Sequence, residues 1–77
     1  MSRLPRMIDR EVLRILERAG FRIHRVRGSH HVLKHSITGR RTVVPVHGEI
    51  LAPKTLLSIL SSADVSVDEF VRLYKGE

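Results

Sequence analysis

The sequence predicts a small α+β domain in which helices cover one face of a three-stranded antiparallel sheet. Apolar residues repeat at helical spacing near both ends of the chain, and the middle holds three short runs of strand-forming residues. Short turns separate these runs, so neighbouring strands are expected to be antiparallel. A chain of 77 residues forms one domain, 1–77, and the predicted order of elements is α-β-β-β-α-α.

The N-terminal helix is predicted over residues 10–19. Residues 1–7 form a loose basic lead-in, because Pro5 stops an earlier helix, and Asp9 is expected to be the N-cap. Gly20 suits the turn that ends the helix. The apolar positions at helical spacing are Ile8, Val12, Ile15, Leu16 and Ala19.

The three central runs predict strands over residues 21–27, 30–35 and 41–46. The first run alternates at its start and then drifts, so Phe21 and Ile23 are expected to face the core. Residues 28–29 and 36–39 supply the turns between the strands. Pro45 cannot donate a ladder hydrogen bond, which favours an edge position or a bulge in the third strand.

Two further helices are predicted after a loop that begins at His47. Pro53 suits the first turn of the second helix, and a capping box over residues 66–69 starts the third. The apolar stripe of the second helix is Leu56, Ile59, Leu60 and Ala63, and the packing groups of the third are Phe70, Val71, Leu73 and Tyr74. Helices one and two are expected to cover the same face of the sheet, which leaves the other to solvent or a ligand.

Charge is distributed unevenly along the chain. Residues 1–41 carry a net charge of +8, whereas residues 42–77 carry −2. Most of the N-terminal cations are arginine, whose planar group matches phosphate oxygens bidentately. This one-sided field is typical of a nucleic-acid binder, although an acidic protein partner or simple solubility would use the same charges.

The composition predicts a soluble cytoplasmic protein. The chain contains no cysteine, which fits a reducing compartment. No apolar run approaches the roughly 20 residues needed to cross a bilayer, and no signal peptide is recognisable. We therefore expect no membrane association.

The corner at Gly28-Ser29 is the most informative local feature. Glycine adopts backbone angles that other residues avoid, so Gly28 is interpreted as a structural turn residue that presents the next side chains at a strand edge. His30 follows, and histidine titrates near physiological pH. In a strongly basic chain this arrangement indicates acid–base chemistry on a polyanion. The alternative is a turn histidine that hydrogen-bonds a nearby carbonyl.

The other histidines on the strands have less specific interpretations. Side chains alternate along a strand, so His31 is expected to point away from the His30 face and to be half-buried and structural. His35 shares that orientation and is expected at the surface, while His24 either contacts phosphate or is simply solvated. No histidine and carboxylate cluster has zinc spacing, so neither a metal nor another cofactor is predicted.

The motifs and their order resemble the HicA (YcfA-like) toxin family over roughly residues 8–74. The matching segments are Gly20-Phe21, Arg27-Gly28-Ser29-His30-His31, Gly39-Arg40-Arg41, Pro45-Val46-His47 and residues 56–63. The resemblance implies a fold similar to a double-stranded-RNA-binding domain and a role as an RNA-cleaving toxin of a toxin–antitoxin system. It also implies that His30 is the residue tied to cleavage and that a HicB-type antitoxin is the partner.

Together these observations predict a metal-independent endoribonuclease that cleaves mRNA. The ribose 2′-OH attacks the adjacent phosphate, and His30 acts as either general base or general acid. His47 is an auxiliary candidate, either as a second acid–base group or as an orienting group, with a loop-anchoring hydrogen bond as the alternative. The expected substrate-binding residues are Arg25, Arg27, Ser29, Lys34 and Arg41. The rival functions are a non-catalytic RNA-binding module and a domain that binds only an acidic protein.

Overall fold

A computed structural model describes residues 4–76 of the chain. Its elements are α1 (Asp9–Arg18), β1 (Phe21–Arg27), β2 (His30–His35), β3 (Arg41–Pro45), α2 (Pro53–Ala63) and α3 (Val67–Lys75). The predicted order is confirmed, with α1 beginning and ending one residue earlier and β3 ending one residue earlier than expected. Residues 1–3 of the predicted lead-in lie outside the described residues. No helix within 4–76 has the length and apolar character needed to cross a membrane.

The sheet is antiparallel throughout and has the strand order β1-β2-β3. β1 and β3 are therefore its two edges. The predicted edge position of Pro45 is confirmed, because β3 pairs only with β2 and Pro45 lies opposite His30. A proline is tolerated there because its missing N–H removes no bond from the centre of a sheet.

One hydrophobic core lies between the helices and a single face of the sheet. Phe21, Leu33 and Val44 supply this face from the three strands, and all three are buried. They pack against the helical residues Val12, Ile15, Leu16, Leu56, Ile59, Leu60 and Phe70. We call this side of the sheet the helix face and the opposite side the open face. The expected covering of one face by α1 and α2 is confirmed.

The expected N-cap role of Asp9 is wrong. Ile8 is the N-cap residue, and Asp9 is the first residue of α1, with a side chain only 1% exposed. One carboxylate oxygen, Oδ2, accepts hydrogen bonds from three consecutive backbone N–H groups in the loop after β3. Asp9 therefore joins the start of α1 to a distant loop instead of closing its own helix.

Two apolar side chains are more exposed than the sequence predicts. Ile23 faces the helix side as expected, because it pairs with Leu33, but it is 48% exposed on the edge strand β1. Tyr74 was expected to pack in α3 but is 43% exposed and lines a shallow cleft beside Arg14 and Arg18. The predicted cap of α3 is confirmed, since the Ser66 side chain accepts a hydrogen bond from the Glu69 N–H at 3.0 Å.

The expected surface position of His35 is also wrong. Its ring is half-buried and packs edge-on against Phe21, with ring centroids 5.1 Å apart. Nδ1 lies 3.1 Å from the N–H groups of Ile37 and Thr38, and Nε2 lies 3.1 Å from the carbonyl of Ala19. These partners assign the tautomer in which Nε2 carries the proton. His35 thus ties the β2–β3 turn to the end of α1.

Replacing Gly20 with alanine is expected to destabilise the fold by about 2–3 kcal/mol. Gly20 has a φ of +106°, and a Cβ atom there would lie 2.5 Å from Nε2 of His35. The His35 ring cannot move away without losing its three hydrogen bonds. Chemical denaturation of the variant measures this loss.

The matched control is Gly28→Ala. Gly28 also has a positive φ, of +55°, but a Cβ atom there meets no atom within 4 Å. Backbone strain alone should cost about 1 kcal/mol. Equal destabilisation of the two variants would contradict the proposed clash with His35.

Candidate active site on the open face of the sheet

The turn between β1 and β2 contains only Gly28 and Ser29. Positive φ occurs at Gly28 but not at Ser29, which is the pattern of a type II′ hairpin turn. The Ser29 carbonyl accepts a 2.7 Å hydrogen bond from the Val46 N–H just beyond β3, and Nδ1 of His31 lies 3.3 Å from the same oxygen. These two contacts hold the carbonyl of the second turn residue, directly before His30 begins β2.

His30 and His31 lie on opposite faces of the sheet. His30 is exposed on the open face, where it pairs across the strands with Arg27 on one side and Pro45 on the other. His31 is half-buried on the helix face and pairs with Val26 and Val44, as the alternation predicted. Of these two rings, only that of His30 can contact a large ligand bound on the open face.

A β-bulge at His24 determines which side chains accompany His30. Ile23 pairs with Leu33, but the next pair is Arg25 with Val32, so His24 is the extra residue of β1. If β1 had no extra residue, side chains that alternate from Phe21 would place Arg25 and Arg27 on the helix face. The bulge instead places both arginines on the open face.

The open face carries positive charge and no carboxylate. Directly opposed residues in antiparallel strands share a face, so the register assigns this face to Arg22, Arg25, Arg27, His30, Val32, Lys34, Arg41, Val43 and Pro45. The whole segment 18–48 contains no aspartate or glutamate. Within residues 4–76, the single salt bridge joins Arg40 to Asp64, and neither of these residues is one of the open-face positions. The cations of the open face are thus available to an external anion.

The predicted substrate-binding residues divide into two groups along the strands. Arg25, Arg27 and Ser29 lie at the end of the sheet that holds His30. Lys34 and Arg41 are opposed to each other near the other end, four residues or about 13 Å from His30 along β2. Arg22 joins this second group, although its guanidinium also donates to the carbonyls of Glu17 and Phe21. Sequence reasoning did not single out Arg22, although alternation from the buried Phe21 already assigns it to the open face.

Hydrogen bonds to the Asp9 carboxylate hold the loop that carries His47. The backbone N–H groups of His47, Gly48 and Glu49 lie 2.7, 2.9 and 3.2 Å from Oδ2 of Asp9. The loop-anchoring hydrogen bond considered for His47 is therefore present, but the backbone makes it and the ring stays exposed. Because His47 lies two residues after Pro45, the partner of His30, both histidines belong to the same end of the sheet.

Asp9 is held in its charged form by these backbone groups. Burial raises the pKa of the Asp9 carboxyl, but hydrogen bonds from the backbone of the loop and of Arg10 outweigh this effect and lower the pKa below its ordinary value of 3.8. The other oxygen, Oδ1, is buried with no hydrogen-bond partner within residues 4–76. The sequence analysis did not predict this role of Asp9. The signal in the sequence was that Asp9 is the first acidic residue in a strongly basic N-terminal segment.

The geometry permits acid–base chemistry on a bound polyanion. An exposed imidazole at a fixed position lies next to Arg27 across the hairpin, and Arg25 continues the same face. Imidazole can accept or donate a proton, and guanidinium groups can neutralise a phosphate. Among the described residues, no three histidine or carboxylate side chains come together in a group that could hold a metal ion.

The chain matches one known family over most of its length. The family model described as "HicA toxin of bacterial toxin-antitoxin" matches residues 10–65, which include α1 except its first residue, the whole sheet and α2. A search of curated proteins found no match. The matched segment covers more than half of the chain and contains the hairpin that carries His30. The resemblance seen in the sequence is thereby confirmed, and the chain belongs to the HicA toxin family of toxin–antitoxin systems.

Proposed function

We propose that this toxin is a metal-independent endoribonuclease that cleaves mRNA with His30 as its acid–base group. The observation that carries the proposal is the exposed His30 ring on a sheet face with several cations and no carboxylate. RNA supplies its own nucleophile, the 2′-OH, so the protein has to move protons and stabilise charge on phosphorus. An imidazole and neighbouring guanidinium groups perform these two tasks.

In the proposed reaction, the ribose 2′ oxygen forms a bond to phosphorus as the bond to the 5′ oxygen breaks. His30 either takes the proton from the 2′-OH or gives a proton to the leaving 5′ oxygen. Water or a second group, for which His47 at the same end of the sheet is the candidate, completes the other transfer. The products are a 2′,3′-cyclic phosphate and a 5′-hydroxyl. Arg25 and Arg27 hold the phosphate and oppose the negative charge that develops on it.

The toxin–antitoxin family implies an antitoxin partner, and we propose a HicB-type protein in this role. A protein that covers the open face and offers carboxylates to its cations would block RNA at the same site. This interaction would also explain how a cell carries the nuclease without harm.

The decisive test incubates the wild-type protein with a labelled RNA in the presence of EDTA. Cleavage is expected to continue, and each cut should leave a cyclic or 3′ phosphate and a 5′-hydroxyl. DNA of the same sequence should remain intact, because it lacks the 2′ nucleophile. An RNA that is bound but never shortened would contradict the proposal and favour the non-catalytic RNA-binding module.

A further inference from the structure

We propose that the open face is the track of an unpaired RNA strand that runs between the Lys34–Arg41 end and the His30 end. The inference rests on the proposed function and specifies the form of its substrate. Its observation is that Lys34 and Arg41, although remote from His30, share the same face and the same lack of acidic neighbours among the described residues. A catalytic site alone would not require cations at that distance.

The dimensions of the face suit a single strand. Alternate residues of a strand are about 7 Å apart, and His30 lies about 13 Å from Lys34. Three strands span only about 10 Å from β1 to β3. The cations therefore line a short, narrow path along which a few successive phosphates of an extended strand can lie. A domain that reads duplex RNA instead contacts successive grooves along the helix.

The chemistry of cleavage also requires an unpaired strand. The attacking 2′ oxygen has to approach phosphorus from the side opposite the leaving 5′ oxygen. The A-form duplex holds the 2′ oxygen away from that line, whereas an unpaired nucleotide can rotate into it. A histidine that depends on the 2′-OH therefore acts on single-stranded RNA, with the strand held by cations on either side of the cut.

Recognition on this track should depend on phosphates more than on bases. The apolar centre of the face consists of Val32 and Val43, which offer contact area but no hydrogen bonds. None of the open-face positions carries phenylalanine, tyrosine or tryptophan, the usual platforms for base stacking. Binding should thus weaken steeply with salt, with a logarithmic slope of roughly 0.7 for each phosphate contacted.

The test measures binding of a fully 2′-O-methylated single strand, which lacks the nucleophile and therefore cannot be cut. The double variant Lys34→Gln/Arg41→Gln is expected to bind this strand about tenfold more weakly than the wild type, because two phosphate contacts are lost. The same strand annealed to its complement should also bind at least about tenfold more weakly than the free strand.

The matched control is Arg10→Gln/Arg14→Gln, which removes the same net charge from exposed positions on α1. Binding should stay within about twofold of wild type if position on the open face matters more than total charge. Equal losses in the two double variants, or equal affinity for strand and duplex, would overturn the proposal. So would displacement of the RNA by an equal charge concentration of polyglutamate, which would favour an acidic protein as the occupant.

The binding assay separates this proposal from the proposed function. If the wild type cuts RNA while the Lys34→Gln/Arg41→Gln variant binds normally, the track is wrong and the nuclease stands. If the open face binds the single strand as expected but no RNA is ever cut, the track is supported and the nuclease is wrong.

Discussion

Replacing His30 with alanine is expected to reduce RNA cleavage by two to four orders of magnitude, which is the usual contribution of one positioned acid or base. The ring is exposed and lies outside the hydrophobic core, so its removal leaves no cavity. The free energy of unfolding should therefore stay within about 0.5 kcal/mol of wild type. Rates on a labelled RNA, together with denaturation curves, measure both quantities.

His24→Ala is the matched control for this experiment. His24 is an exposed histidine of the same sheet, but it is the bulge residue and lies outside the regular pairs of the open face. Its removal should change cleavage by less than about threefold, far below the effect of one acid–base group. Full cleavage by His30→Ala would remove His30 from the mechanism, and equal loss in both variants would indicate a general effect of charge or folding.

The element order followed from sequence because each element is specified by local patterns. Helical spacing defined α1 and α2, Pro53 marked the first turn of α2, and Ser66 capped α3. The position of His30 at the start of β2 also followed from a local signal, since Gly28 opens a two-residue hairpin turn.

Local patterns could not predict on which face of the sheet each β1 side chain lies. Strict alternation from Phe21 would turn Arg25 and Arg27 to the helix face and away from His30. One extra residue at His24 instead turns both arginines to the open face. The drift of the pattern in β1 was visible in the sequence, but the position of the bulge depends on pairing with β2.

The roles of Asp9 and His35 were missed for a related reason. Both side chains have polar partners across the fold, with Asp9 bonded to N–H groups 38 to 40 residues away and His35 to a carbonyl 16 residues away. Cap and surface assignments assume neighbours within a few residues. Only the packed structure reveals that these two side chains hold a loop and a turn.

Replacing Asp9 with alanine is expected to destabilise the protein by about 2–4 kcal/mol. Three N–H groups in a partly buried loop would lose their acceptor, and each was bonded to a charged oxygen. A domain of this size has a total stability of only about 4–12 kcal/mol, so the loss is a large share. Asp9→Asn should lose less, about 1–2 kcal/mol, because its amide oxygen can still accept the same bonds.

The control for Asp9→Asn is Asp64→Asn. Asp64 is exposed and contacts Arg40 at 3.6 Å, and asparagine tolerates its positive φ of 58°. An exposed ion pair contributes little, so this variant should stay within about 0.5 kcal/mol of wild type. Equal losses at Asp9 and Asp64 would show that the burial of Asp9 and its three bonds have no special effect.

The pH dependence of the free energy of unfolding should report the same interaction between Asp9 and the loop. The pKa of Asp9 is lowered in the folded protein, so its contribution to stability is fully present well above pH 3.8 and is lost as pH falls through the folded value. Wild-type stability should therefore fall more steeply below pH 3.8 than that of Asp9→Asn, and the two curves should converge. Titration of the other carboxylates cancels in this difference. Parallel curves would mean that the Asp9 charge does not anchor the loop that carries His47.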